Sequence, residues 1–317
     1  MANWTRLQLT AALVLGLVGA AAANDDRPET PLLDTARGAQ AVPSQPQALV
    51  VLDVAAADTL AALDVPMAGL PSRLYVDYLN AEQAQATPVG TLFEPDFEAI
   101  ALLGPDLIIA GGRSSAQVDA LSEIAPTVDM TIWGADHVDI ALSRLRSYGA
   151  LMGRSAQAAT LEAAFLTKLE STRAAVADRG RALIVMTNGP KVTTYGRESR
   201  FGWIHNALNL PEAVVEQPAA AAAEAAEAAP HGEAISFEYI AEANPDWLIV
   251  VDRASAIGQD NQAAAATLDN PLVTGTEAWK KGQVIYLNSA SIYIAGGGIQ
   301  SMTATLEDIL AGFARGG

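Results

Sequence analysis

Phe97-Glu98-Ala99-Ile100-Ala101 leads through Pro105-Asp106-Leu107-Ile108-Ile109 to Arg113, and Phe237-Glu238-Tyr239-Ile240-Ala241 leads through Pro245-Asp246-Trp247-Leu248-Ile249 to Arg253. Each matched residue lies 140 positions from its counterpart, and the register never slips. Both copies read as a helix, a Pro-Asp corner, a short apolar strand and an arginine just past the strand end. Asp96 and Glu98 stand in the first turn of the first helix, where acids suit the helix dipole. Ser236 is a plausible cap for the second. The duplication predicts two related halves that face each other across a positively charged cleft, an arrangement suited to an anionic ligand.

The rest of the chain supports this reading. Apolar runs at 48–52, 107–110, 182–187, 248–251 and 284–287 have the length and composition of buried strands. Helical patterns at 58–63, 96–103, 202–208, 236–243 and 298–313 alternate with them. Asn188-Gly189 marks a turn, after which 192–195 can pair back as a hairpin strand. From about 140 to 179 the pattern is almost wholly helical, with a break or kink at Gly153. The piece from 155 to 178 carries apolar residues at Leu161, Phe165, Leu169 and Val176. It would span roughly 35 Å, enough to bridge two domains as a rigid connector. The expected fold class is therefore α/β, with two lobes of mainly parallel sheet. The lobes are expected at 48–153 and 180–317, with the connecting helix at 154–179.

Composition narrows the function. The chain has 317 residues, half of them apolar, which suffices for two domain cores. Its net charge is −17, a surface that repels nucleic acid and anionic lipid. Against that background, a local gathering of arginines stands out. Arg6, the apolar residues 7–18 and Ala21-Ala22-Ala23 predict a cleavable signal peptide over 1–23. Residues 24–47 are rich in Pro, Asp and Gln and read as a flexible leader. No cysteine occurs, which excludes disulfides, thiolate metal sites and a thiol for lipid attachment. The expected location is the periplasm, free of the membrane. Residues 216–230 are nearly all alanine and glutamate and read as a solvent-facing insertion.

Three arginines are candidate ligand-binding groups: Arg113, Arg200 and Arg253. Arg113 and Arg253 follow strands at their carboxyl ends, where open α/β sheets take their ligands. Arg200 lies in the polar loop Tyr195-Gly196-Arg197-Glu198-Ser199-Arg200-Phe201-Gly202. Guanidinium is permanently charged and presents a planar fork of donors, which suits a large anion with several oxygens. Any one of them alone reads equally well as a surface arginine paired with an acid. His231 and Tyr293 lie in irregular segments and carry side chains that can bind ferric iron; each alone reads first as a structural residue. Glu98 and Glu238 form a matched pair, one per lobe, suited to a symmetric partner. Gly296-Gly297-Gly298 lacks the lysine and hydroxyl residue of a P-loop and takes no phosphate role. There is no Gly-x-Ser-x-Gly elbow and no His-Glu-x-x-His. His137, His205 and His231 are scattered, which argues against a zinc or manganese carrier.

With these residues in view, the chain resembles the ferric-siderophore periplasmic binding proteins of ABC importers, in their catecholate branch. The resemblance covers about 48–313. It rests on Gly90-Thr91-Leu92-Phe93-Glu94-Pro95-Asp96, on Pro105-Asp106-Leu107-Ile108-Ile109-Ala110-Gly111-Gly112-Arg113, and on Tyr195-Gly196 with Ser199-Arg200-Phe201-Gly202. His231-Gly232 with Ile235-Ser236, and Val251-Asp252-Arg253, complete it. The resemblance implies two Rossmann-like lobes joined by a single long α-helix, the class III architecture, with the ligand held between them. It implies that Arg113, Arg200 and Arg253 form a basic triad under catecholate oxygens, and that His231 and Tyr293 complete the iron shell of a tetradentate chelate. It implies that Glu98 and Glu238 meet the permease dimer of an inner-membrane importer. Iron(III) would be cargo, bound as a siderophore complex, with no intrinsic cofactor; the protein would be a monomer and not an enzyme. The stretch 216–230 is bulkier than the loop expected before His231. The alternatives are a haem or corrinoid binder of the same fold, disfavoured by the arginine triad, and an α/β enzyme acting on an anionic metabolite.

Overall fold

The computed structural model describes Met1 and residues 31–215, 232–259 and 263–316. The expected signal peptide, leader residues 24–30, the Ala/Glu stretch 216–230 and His231 lie outside the described residues.

The strands run in chain order as β1 (Leu32–Thr35), β2 (Gly38–Ala41), β3 (Leu49–Val51), β4 (Gly69–Leu70), β5 (Thr87–Pro88), β6 (Leu107–Ala110), β7 (Thr127–Asp129), β8 (Ala182–Asn188), β9 (Lys191–Thr194), β10 (Glu233–Ile235), β11 (Trp247–Asp252) and β12 (Val284–Tyr286). The first lobe is built on a parallel sheet of order β5-β4-β3-β6-β7. The second sheet has the order β10-β9-β8-β11-β12. There β8, β11 and β12 are parallel, while β9 folds back against β8 and β10 pairs antiparallel to β9. The fold is α/β with two lobes.

The central parallel strands of each sheet are buried on both faces, as such strands are when helices cover them. Leu49, Val51, Leu107 and Ile109 point into one large core cluster, while Val50, Ile108 and Ala110 point into a smaller one on the opposite face. In the second lobe Ile184, Met186, Ile249 and Val251 join the same large cluster, and Leu183, Val185, Leu248 and Val250 fill a separate outer one. The inner faces of both sheets thus belong to a single apolar core. Each fully buried Val, Leu or Ile contributes about 1.5–3 kcal/mol to it.

The duplicated stretch folds twice in the same way. Asp96 Oδ1 accepts from Ala99 N (3.0 Å) at the start of the helix Phe97–Leu103, and Ser236 Oγ accepts from Tyr239 N (3.4 Å) at the start of Phe237–Ala243. Both helices end on a left-handed residue, Gly104 at φ 55° and Asn244 at φ 39°. The following aspartates then pin the neighbouring strand. Asp106 Oδ2 accepts from Gln47 N (2.8 Å) and Ala48 N (3.0 Å), just ahead of β3. Asp246 Oδ2 accepts from Arg181 N (2.8 Å), just ahead of β8.

Between the sheets the chain forms the helices His137–Leu151 and Ser155–Val176, separated by a turn in which Gly153 takes φ +66°. The second has 22 residues and a length of about 33 Å. It buries Phe165, Leu169, Thr172 and Val176, and it packs against the closing helix Ile299–Arg315. That closing helix also meets the first lobe's Val54–Ala62. Asp58 of the first lobe is fully buried and caps the closing helix from across the molecule. Its carboxylate accepts from Gln300 N (2.8 Å), Ser301 N (2.9 Å) and Tyr78 Oη (2.6 Å).

Two expectations need correction. The helix expected from 58 begins at Val54, because Asp53 Oδ2 accepts from Ala56 N (3.1 Å) and sets the start one turn earlier. The leader expected to be flexible over 24–47 contains the β1–β2 hairpin. Leu33 and Val42 are buried in the large core cluster, Ala36 N donates to Asp129 O (2.8 Å), and Arg144 bonds the Asp34 carbonyl. Tertiary contacts order a stretch whose composition alone suggests a loop.

Candidate functional site

Arg113, Arg200, Arg253 and Tyr293 come together between the lobes. The Gly111-Gly112 turn after β6 delivers Arg113. A Cβ at Gly111 would lie 3.0 Å from Asp53 Cγ and from Thr131 N, and Gly112 takes φ +53°, so both positions require glycine. Ser114 Oγ, bonded to Gly111 N (3.0 Å), and Thr131 Oγ1, accepting from Gly112 N (2.8 Å), hold the turn. Arg253 opens the short helix Arg253–Ala256, capped by Asp252 Oδ1 on Ser255 N (3.1 Å). Arg200 sits in a tight loop braced by Ser199 Oγ, which donates to Gly196 O (2.6 Å). Tyr293 lies on the helix Ser289–Ile294, capped by Asn288.

The three guanidinium carbons lie 5.1 Å (Arg113), 4.5 Å (Arg200) and 5.9 Å (Arg253) from the centroid of the Tyr293 ring. Arg113 Nη2 and Arg200 Nη2 donate to the same carbonyl, Tyr293 O, at 2.9 and 3.0 Å. Arg113 Nη1 reaches Ile294 O at 3.4 Å. Arg253 Nε donates to the Tyr293 hydroxyl at 3.1 Å, and its Nη1 to Asn188 Oδ1 at 3.4 Å. Arg113 therefore spans the lobes, whereas Arg200 and Arg253 share a lobe with the tyrosine. Among the described residues none of the three is ion-paired with a carboxylate.

The field of this cluster is legible in its neighbours. Burial pushes the Tyr293 phenol up, but the hydrogen bond from Arg253 and the charges of Arg253, Arg200 and Arg113 outweigh it and leave the group below the ordinary value. Burial, reinforced by the charge of Arg113, lowers the pKa of Arg200. Burial lifts Asp53, beside the Arg113 turn, to about 6, while Arg113 pulls it down. A half-buried patch with three fixed positive charges and a phenol easy to ionise is matched to a multiply charged anion that includes a hard metal ion.

Sequence reasoning assigned no site role to two neighbours. Tyr195 is buried against Phe201 (centroids 4.5 Å apart), and burial raises its pKa to about 12 although Arg200 and Arg253 pull it down. His137 stacks on Trp203 (centroids 6.0 Å apart, planes 10° apart), and burial, aided by the charge of Arg200, lowers its pKa to about 4. A lone histidine at the start of a helix carries no local signal of such a place. Glu98 and Glu238 are exposed at equivalent points of the first helical turn in each lobe.

The chain belongs to the periplasmic binding protein family, whose sequence profile matches residues 49–290. It is similar to the petrobactin-binding protein YclQ of Bacillus subtilis, with 33% identity over 282 residues, 86% of this chain and 84% of that protein. It is also similar to the ferric-anguibactin-binding protein FatB of Vibrio anguillarum, with 31% identity over 90% of this chain and 88% of that protein. The crystal structure of the periplasmic catecholate-siderophore binding protein VctP from Vibrio cholerae superposes with a TM-score of 0.80 at 29% identity, covering 89% of this chain and all of that one. Among the described residues no helix is long and apolar enough to cross a membrane.

Proposed function

We propose that this protein binds an anionic iron(III)–siderophore complex of the catecholate type in the periplasm and delivers it to an inner-membrane ABC importer. The observation that carries the reading is the convergence of three guanidiniums, from both lobes, on one aromatic ring. A ferric catecholate is multiply anionic, and its oxygens lie along planar edges that guanidinium forks can grip. Partial burial strengthens each contact relative to water. Donors already placed on two rigid lobes lower the ordering cost of binding. Relatives that bind petrobactin and ferric anguibactin support the same ligand class.

Within this reading Arg113, Arg200 and Arg253 hold the ligand oxygens, exchanging their present bonds to Tyr293 and Ile294 for bonds to the chelate. Tyr293, whose phenol ionises more readily than usual, supplies a ligand to iron, with His231 as its partner when the siderophore offers four donor atoms. Glu98 and Glu238 dock on a permease dimer, one lobe per subunit. The protein acts as a soluble monomeric carrier and performs no catalysis.

Titration with a ferric catecholate tests this. Trp203 lies close to Arg200, so ligand capture should quench tryptophan emission at submicromolar concentration, with the chelate recovered unaltered. Changing Arg113, Arg200 and Arg253 together to Ala should abolish the quenching. Retention of the original affinity by the triple variant, or chemical turnover of the chelate, would overturn the assignment.

A further inference from the structure

A fourth arginine stands at the rim of the cleft, outside the ring around Tyr293. Arg73 lies three residues beyond β4, in a loop at the carboxyl edge of the first sheet, on the side where Arg113 leaves β6. Its guanidinium carbon sits 4.5 Å from the centroid of the Tyr75 ring. Tyr75 adopts φ +67°, a left-handed conformation that costs energy in a residue with a bulky side chain. The strain is held because the ring packs, partly buried, against the large core cluster, as do Ile257 and Tyr293.

Arg73 also reaches the second lobe. A Cβ at Gly258 would lie 2.3 Å from Arg73 Nη2, so the guanidinium occupies the space that any side chain there would take. Gly258, at φ +60°, closes the turn after the short helix that Arg253 opens. One end of this helix therefore supplies an arginine to the ring, and the other makes room for Arg73, roughly 7 Å further along at helical rise. Arg73 is exposed and, among the described residues, has no carboxylate partner. A strained aromatic residue steadies it, and a glycine of the opposite lobe accommodates it.

Building on the carrier reading above, we propose that Arg73 is a specificity residue that binds a carboxylate carried by the chelate outside its iron-bound rings. The three ring arginines face the position of Tyr293, where catecholate oxygens would lie. Arg73 stands outside that ring, exposed and against Gly258 of the other lobe, where a group carried beyond the iron-bound rings would meet it. Its planar fork pairs bidentately with a charged carboxylate, whereas a neutral amide offers it a single uncharged acceptor. The protein should therefore prefer catecholate chelates with a free acid on their backbone over otherwise identical neutral ones.

Two probes separate the possibilities: the iron(III) complex of lysine carrying a dihydroxybenzoyl group on each amine with its carboxylate free, and the same complex with that carboxylate converted to a carboxamide. Affinities would be read by fluorescence titration of the full chain. The unaltered protein should hold the acid at least about tenfold more tightly than the amide, the worth of one charge-assisted pair. Arg73→Gln should erase that preference and leave the amide within about twofold of its original affinity. Tyr75→Leu should erase part of it. Lys280→Gln removes the same charge from the helix that precedes β12 and should leave the preference intact. Equal weakening of both probes by Arg73→Gln, an unchanged preference, or a matching effect of Lys280→Gln would overturn the role of Arg73. If the unaltered protein captures the two probes equally well, the inference fails while the carrier reading stands; if it captures neither, both fail.

Discussion

The two copies of the repeated stretch share a scaffold and differ in what their arginines do. Both begin on a capped helix, turn through a left-handed residue, pin the adjacent strand with an aspartate and end on an arginine at the strand's carboxyl end. Yet Arg113 crosses to the other lobe and bonds the Tyr293 carbonyl, whereas Arg253 stays in its own lobe and bonds the Tyr293 hydroxyl and Asn188. The surrounding sheets differ too: the first is wholly parallel, and the second gains an antiparallel edge through β9 and β10. The repeat sets where a guanidinium emerges. The packing of one lobe on the other sets what it meets.

This contrast predicts unequal mutants. Arg113→Ala removes the one ring arginine that grips the ligand from the first lobe, so we expect roughly a hundredfold loss of affinity for a ferric catecholate. Arg253→Ala removes a contact within a lobe already held by β8 and β11, so we expect roughly tenfold. Equal losses in the same titration would mean that crossing the cleft adds nothing to the role of Arg113.

A second pairing sets a cap between lobes against caps within them. Asp58, itself fully buried, accepts two backbone N–H groups of the closing helix and the hydroxyl of the more exposed Tyr78. Asp58→Ala would leave those donors unsatisfied and should cost about 3 kcal/mol in a denaturant melt. Burial also raises the Asp58 carboxyl to about 7, against 3.8 for an ordinary aspartate. Between those values the folded protein keeps a proton that the unfolded chain has lost. The contribution of this group to stability therefore falls as pH rises from about 4 to about 7. Asp58→Asn should flatten that part of the stability profile, and an unchanged slope would remove Asp58 as its source.

The parts legible in the sequence are those fixed by local chemistry. Ser236 as a cap, the acids at the start of the helix from 96 and the Pro-Asp corners each act within a few residues, so the repeat could be read directly and the strand ends placed from it. The α/β class followed from that alternation. Arg200 lies in an irregular loop, and its convergence with the other two was legible only through family resemblance. The β1–β2 hairpin, the stacking of His137 on Trp203 and the reach of Arg73 to Gly258 depend on residues far apart in the chain. No period or cap announces them. Asp58 shows the limit well: its position in a helical pattern was plain, but its partners at Gln300 and Ser301 lie more than two hundred residues away.

The smallest expected effect tests whether the two copies are equivalent even as scaffold. Asp96 and Ser236 both cap a helix that presents an exposed glutamate in its first turn. Removing such a cap usually costs about 1 kcal/mol. The Asp96 bond is 3.0 Å and charge-assisted, whereas the Ser236 bond is 3.4 Å and neutral. Asp96→Ala should therefore destabilise by about 1 kcal/mol and Ser236→Ala by about half as much, read from chemical denaturation of each variant. Because each side chain bonds within its own helix start and not to the arginines around Tyr293, both variants should retain the affinity of the parent for a ferric catecholate. A reversed order of stabilities would show that the second helix leans on its cap because β10 at the sheet edge gives it less support. A loss of affinity in either variant would show that the first turn of these helices helps to set the spacing of the arginines beyond them.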